Sequence, residues 1–185
     1  MDDKAIISLL FERSENALTA LQSKYGRLCT KIAANILNNS ADAEECVNDT
    51  YLGVWNSIPP NRPDNLMAYV CKIVRNLSIK RYHSNTAAKR NSQYDVALEE
   101  LEGCLSSNES PEEEVITKEL TGAIEGFLDG LKQTDRVIFM RRYYFSDSYE
   151  DIAEFTGISV KNVSVRLTRL RSRLRLYLTE RGYIL

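Results

Sequence analysis

Six cations, Lys161, Arg166, Arg169, Arg171, Arg173 and Arg175, share one short stretch with Asn162, Ser164, Val165, Thr168 and Ser172. Guanidinium and ammonium groups hold phosphates, while short polar and apolar side chains can meet base edges in a groove. Lys161, Asn162, Ser164, Val165, Arg166, Thr168 and Arg169 are therefore candidate duplex readers. Nothing in the chain points to bond-making chemistry. No phosphate-cradling glycine motif and no nucleophile-base pair stands out, so no catalytic residue and no enzyme activity is expected. His83 is the only histidine, and Cys29, Cys46, Cys71 and Cys104 have no metal-ligand spacing, so neither a metal site nor a cofactor is expected.

Those cations need a frame, and 148–178 supplies one. Ser148 and Asp151 have the spacing of a capping box, which satisfies two of the first orphan amides of a helix. Ile152 and Ala153 give it an apolar inner edge. Gly157 falls where the helix must stop, at a place suited to a left-handed residue without Cβ. Ser159 can cap a second helix whose buried stripe is Val163, Leu167, Leu170 and Leu174, at steps of four, three and four. A helix-turn-helix is expected, with its basic second helix in the major groove. The bland alternative is a helical hairpin with a solvated basic face.

The chain has 185 residues, 43% of them hydrophobic, so it can bury real cores. Its formal net charge of -2 hides a strong asymmetry. The charged residues of 161–181 are almost all basic and those of 95–114 all acidic, so a nucleic-acid face can exist despite a pI of about 5.6. No signal peptide and no apolar run of membrane-spanning length is present, and three of the cysteines lie in apolar helical patterns. A cytoplasmic protein without membrane insertion is expected.

Helical periodicity runs through most of the chain. A short amphipathic helix over 3–11 precedes one that Ser14 can cap, with the stripe Ala17, Leu18, Leu21, Tyr25, Leu28, Ile32 and Ile36. Asn38-Asn39 ends it, and Ser40 can cap a third helix with Asp42, Glu44 and Glu45 near its positive end. Pro59, Pro60 and Pro63 forbid a helix and make a stiff loop. A fourth helix over 65–82 is expected to bury Leu66, Tyr69, Val70, Ile73, Val74 and Leu77 and to show Lys72, Arg75, Asn76, Lys80 and Arg81 on another side. Residues 84–111 are polar and acidic with weak periodicity apart from 96–105, and read as a flexible tether. After Pro111 come a helix with the stripe Ile116, Leu120, Ala123, Phe127 and Leu131, then one capped by Thr134. The expected fold is all-α: a four-helix domain over 1–83, a flexible acidic linker over 84–111 and a helix-turn-helix domain over 112–185.

The segments DAEECVNDTYLGVWNSI, LMAYVCKIVRNLSIKRY and DRVIFMRRYYFSDSYEDIAEFTGISVKNVSVRL, in this order and spacing, resemble the sigma-70 superfamily. The resemblance is strongest to its small two-domain members, the extracytoplasmic-function sigma factors. It implies a sigma-2-like and a sigma-4-like domain that bind core RNA polymerase, through the β′ clamp helices and the β flap, and direct promoter recognition, DNA melting and transcription initiation. By that resemblance Asp42, Glu45, Asn48, Asp49, Gly53 and Trp55 are the polymerase-binding face. The residues alone favour a solvated acidic face, and the resemblance reverses that preference. Tyr69, Lys72, Arg75, Asn76, Lys80 and Arg81 are implied as the −10 region, where unstacked bases need planar neighbours and the strand needs cations. The basic helix is implied as the −35 reader, with Arg169 as either a base contact or a phosphate clamp. Relatives carry a short Gly- or Ser-containing loop where this chain has its prolines, and several hold Arg at the Ser164 position. An acidic linker containing Glu99, Glu100, Glu102 and Glu109 can stand in for nucleic acid in a basic channel, or be a plain tether. An anti-sigma partner is a further implication. The alternatives from the residues alone are a stand-alone helix-turn-helix regulator of duplex operators and a helical protein-interaction module.

Overall fold

The computed structural model of the chain describes residues 1–85, 92–102 and 113–183. Among the described residues are nine helices and no strand, so the chain is all-α. It divides into two compact units, Met1–Asp95 and Val96–Leu185.

In the first unit, α1 (Asp3–Phe11), α2 (Asn16–Leu37), α3 (Ser40–Ser57) and α4 (Leu66–Ser84) pack around α2, which touches the other three. Of the expected stripe of α2, Ala17, Leu21, Tyr25, Ile32 and Ile36 are buried while Leu18 and Leu28 are half-buried, and Val54, Ile58, Leu66, Val70 and Val74 join the core. Each such Leu, Ile or Val contributes about 1.5–3 kcal/mol by leaving water. Thr50 and Ser78 are buried too, but their hydroxyls donate to the carbonyls of Cys46 and Val74 at 2.7 and 2.8 Å. They thus cost little as buried polar groups.

Helix ends differ by a residue from expectation. Asn38 takes a left-handed backbone (φ 49°), which Asn tolerates better than most, and ends α2. Asn39, not Ser40, caps α3, its side-chain oxygen accepting from the amides of Ala41 and Asp42 at 3.0 and 3.2 Å. Asn65 likewise caps α4 through the Ala68 amide at 2.9 Å and is not its first residue. Ser14 does not cap α2: it lies in the turn after α1, with its amide on the Leu9 carbonyl, and Glu15 holds the cap position without a side-chain bond. The 59–64 loop is non-helical, as its prolines require.

The stretch read as a flexible acidic tether contains α5 (Gln93–Glu102), a helix that composition did not suggest, and the boundary between the two units falls within it. Residues 86–91 and 103–112, including Cys104 and Glu109, lie outside the described residues. In the first unit, Tyr94 and Asp95 of α5 meet Tyr82 of α4: the Tyr82 hydroxyl donates to Asp95, and the two rings stand edge-on at 5.3 Å. In the second unit, Ala97 is buried in the core.

The second unit continues with α6 (Glu113–Asp129), α7 (Gln133–Tyr143), α8 (Tyr149–Thr156) and α9 (Val160–Thr179). Phe127 of α6 and Leu131 just after it meet Ile138 and Phe139 of α7 and the α9 stripe in one core. Val137 and Met140 are only half-buried because α7 turns Ile138, Phe139, Arg142 and Tyr143 inward. Thr134 lies inside α7, whose cap position is Lys132 with no side-chain bond.

Candidate nucleic-acid and protein interfaces

The helix-turn-helix forms as its local signals dictate. Ser148 Oγ accepts from the Asp151 amide at 3.1 Å, and the Ser148 amide donates back to the Asp151 carboxylate at 3.4 Å, closing the capping box. Gly157 sits at φ 69°, where a Cβ would be strained, and its amide closes α8 on the Ala153 carbonyl. Ser159 Oγ accepts from the Asn162 amide at 3.3 Å and starts α9. Val163, Leu167, Leu170 and Leu174 are all buried, with Leu178 extending the stripe. This fixes the rotation of α9 and turns Lys161, Val165, Thr168 and Ser172 to the opposite, exposed side.

The cations of α9 are not equivalent. Lys161, Arg169, Arg173 and Arg175 are exposed. Arg166 is held by Asp135 of α7 at 2.6 Å. Arg171 turns inward, with Nη1 on Glu100 at 3.1 Å and on the Tyr143 hydroxyl at 3.0 Å. Asn162 and Arg169 flank the outward line of Lys161, Val165 and Thr168, whereas Ser164 is half-buried.

Glu100 was expected to face a basic channel or solvent. Instead its carboxylate takes hydrogen bonds from Arg142 Nη2 at 2.8 Å, Arg171 Nη1 at 3.1 Å, and the hydroxyls of Tyr143 and Tyr149, each at 3.1 Å. Arg142 is 1% exposed, an extreme for an arginine, and also donates to the Asp147 carbonyl at 2.8 Å. Burial pushes the Tyr143 hydroxyl far above its ordinary range, so it remains a donor at any ordinary pH. The only sequence signal for this node was an apolar Ala97 and Leu101 flanking an acid.

On α4 the six candidate residues separate. Tyr69, Lys72, Asn76 and Lys80 follow steps of three, four and four and so line one edge; Lys72, Asn76 and Lys80 are exposed and Tyr69 is half-buried. The Tyr69 hydroxyl accepts from Asn61 Nδ2 of the Pro-rich loop at 3.4 Å. Arg75 instead lies over the ring of Tyr94, 5.7 Å from its centre. Arg81 is also diverted, bonding Glu45 and lying 3.8 Å from Asp42, both on α3.

On α3, Glu45, Asn48 and Asp49 are exposed, and Asp42 is half-buried with Asn85 and Arg81 against it. Gly53 faces inward: a Cβ there would lie 3.3 Å from Ile73 Cγ2, so its role is the close approach of α3 and α4. Trp55 lies under the Arg13 guanidinium at 5.4 Å, and Arg13 donates to its carbonyl at 2.6 Å. A groove of about 550 Å³ runs between α2 and α3, lined by Leu18, Asn48, Tyr51, Leu52 and Trp55 among others. Leu52 is 57% exposed there and was missed; its signal was its place four residues after Asn48 and three before Trp55. No helix among the described residues is long and apolar enough to cross a membrane.

Comparison with known proteins adds two matches in order along the chain. A family model described as Sigma-70 region 2 matches residues 21–88, and one described as Sigma-70, region 4 matches 121–174. No curated protein matches. Among solved structures, one described as the structure of CnrH in complex with the cytosolic domain of CnrY is similar at 20% identity and a TM-score of 0.45, covering 96% of this chain and 97% of that one.

Proposed function

As a member of the sigma-70 family, to which regions 2 and 4 spanning well over half its length assign it, this chain is an extracytoplasmic-function-type sigma factor that directs core RNA polymerase to promoters and starts transcription, and we propose how its faces divide that work. The family is one of initiation factors, and the reaction itself remains the polymerase's. The α9 face of Lys161, Asn162, Val165, Thr168 and Arg169 reads the −35 element, with Arg166 joining when its hold on Asp135 loosens. Arg173 and Arg175, further along the same helix, hold phosphates and fix its register.

The α4 edge takes the −10 element. The observation that carries this is the line Tyr69, Lys72, Asn76 and Lys80: a ring, an amide and two cations on one edge, with the two arginines of the helix turned elsewhere. A base leaving the stack meets Tyr69 and the Asn76 amide, and Lys72 and Lys80 hold the strand. Melting is then driven by the binding of extruded bases, with no nucleotide hydrolysis. The α3 face of Glu45, Asn48, Asp49, Leu52 and Trp55 docks on the β′ clamp helices. It has the apolar centre and charged rim that suit a protein contact. The second unit docks on the β flap. Such a factor works in the cytoplasm, on the nucleoid when bound to polymerase, and an anti-sigma partner would mask the exposed faces when it is idle.

The test is reconstitution. The purified chain is mixed with core polymerase and a promoter library, and transcript starts are mapped. Starts at a fixed distance from a shared −35 and −10 pair are expected. Tight binding to duplex operators without polymerase, and no new starts with it, would replace this reading by that of a stand-alone regulator.

A further inference from the structure

Resting on the reading of α9 as the −35 helix, we propose that Val165 and Thr168 recognise thymine through its C5-methyl group. The hydroxyl of Thr168 is already engaged within the protein. Its single proton goes to the Ser164 carbonyl at 3.0 Å, and Arg171 Nη2 donates to Thr168 Oγ1 at 3.2 Å. A hydroxyl has only one proton to give, so Thr168 has none for a base acceptor. Arg171 is itself kept in place by Glu100 and the Tyr143 hydroxyl, so it does not readily release that oxygen. What Thr168 offers outward is its methyl group.

Val165, three residues earlier, is 40% exposed and carries nothing but methyl groups. Positions three apart are neighbours on a helix surface. Both lie opposite the buried stripe of Val163, Leu167 and Leu170, on the side that carries Lys161, Asn162 and Arg169. The centre of a cationic, polar face is thus a small apolar spot. In the major groove only thymine presents a methyl group, so such a spot discriminates one base from the other three.

The experiment uses holoenzyme reconstituted from core polymerase and the full chain. It first selects its upstream element from a randomised duplex. Each thymine of the selected element, on either strand, is then replaced singly by uracil, which lacks only the methyl. At least one replacement is expected to weaken binding about fourfold, the worth of roughly one buried methylene-sized group. The Val165→Ala, Thr168→Ser double variant, which keeps the hydroxyl, is expected to lose the distinction between thymine and uracil, and Thr168→Val to retain it. Uracil accepted at every position, a selected element of G·C pairs alone, or a double variant that still distinguishes the two bases would overturn the proposal while leaving promoter reading intact. A holoenzyme that selects no upstream element would overturn both.

Discussion

Replacing Glu100 by alanine tests whether α5 belongs to the folded second unit through one carboxylate. Glu100 is the acid facing two arginines, and the side chains of Arg142, Glu100 and Arg171 are only 2%, 16% and 21% exposed. Removing it leaves a guanidinium that is almost wholly out of water without its counter-charge. Breaking a buried pair in this way costs about 3–5 kcal/mol, far more than the pair itself contributes relative to an apolar substitute. Two tyrosine hydroxyls lose an acceptor as well. Against a typical domain stability of about 5–15 kcal/mol, that is a large fraction. With a urea slope of about 1–3 kcal/mol per molar, the midpoint should fall by about 2 M. Two signals separate the units. Trp55, the only tryptophan, lies in the first unit, so its fluorescence follows that unit. The remaining far-ultraviolet circular dichroism follows the second. Glu100→Gln keeps the shape and one acceptor and should fall between wild type and alanine. A dichroism midpoint within about 0.5 M of wild type for Glu100→Ala would refute the reasoning, since a solvated acid on a tether costs nothing to delete.

Other outcomes follow from single sites. Asn76→Ala should slow open-complex formation by more than it weakens closed-complex binding, by about tenfold for one lost base contact of about 1.4 kcal/mol, read by permanganate footprinting beside gel-shift affinity. Cys29, Cys46 and Cys71 are buried, and burial pushes the first to about 12 and the last to about 11. At pH 8 all three should therefore resist iodoacetamide until urea unfolds the chain, as peptide mass mapping would show. Asp3 is held below its ordinary value by hydrogen bonds from Lys24 and Tyr25. A lowered folded value means this pair stabilises above the ordinary carboxylate range and is lost as the pH falls through the lowered one. Thermal melting followed by Trp55 fluorescence should accordingly show steeper loss below about pH 4 in wild type than in Asp3→Asn. Arg81→Ala should disturb α3 packing and polymerase affinity more than it changes −10 sequence preference, because its partners are Glu45 and Asp42.

What could be read from the sequence was what short-range physics decides. The capping box of Ser148 and Asp151, the stop at Gly157, and the stripe from Val163 to Leu174 all act within a few residues, and all are present. The stripes of α2 and α4 were legible for the same reason. The misplacements at Ser14, Ser40 and Thr134 arose where Asn or a bare backbone turn took a cap that serine or threonine could equally have filled. Side-chain partnerships across long separations were hidden. Glu100 and Arg142 are 42 residues apart, and nothing local marks that acid as different from Glu99 or Glu102. For the same reason the engagement of Arg75 by Tyr94 and of Arg81 by Glu45 was not visible in the sequence.

The edge of α4 also acts as a ruler. From Tyr69 to Lys80 a helix rises about 16 Å, at 1.5 Å per residue. Stacked nucleotides advance about 3.4 Å each, so that ledge spans at most about five of them, and fewer once bases splay apart. On the proposal that α4 takes the melted strand, the number of positions this ledge can specify is bounded by the geometry of a single helix.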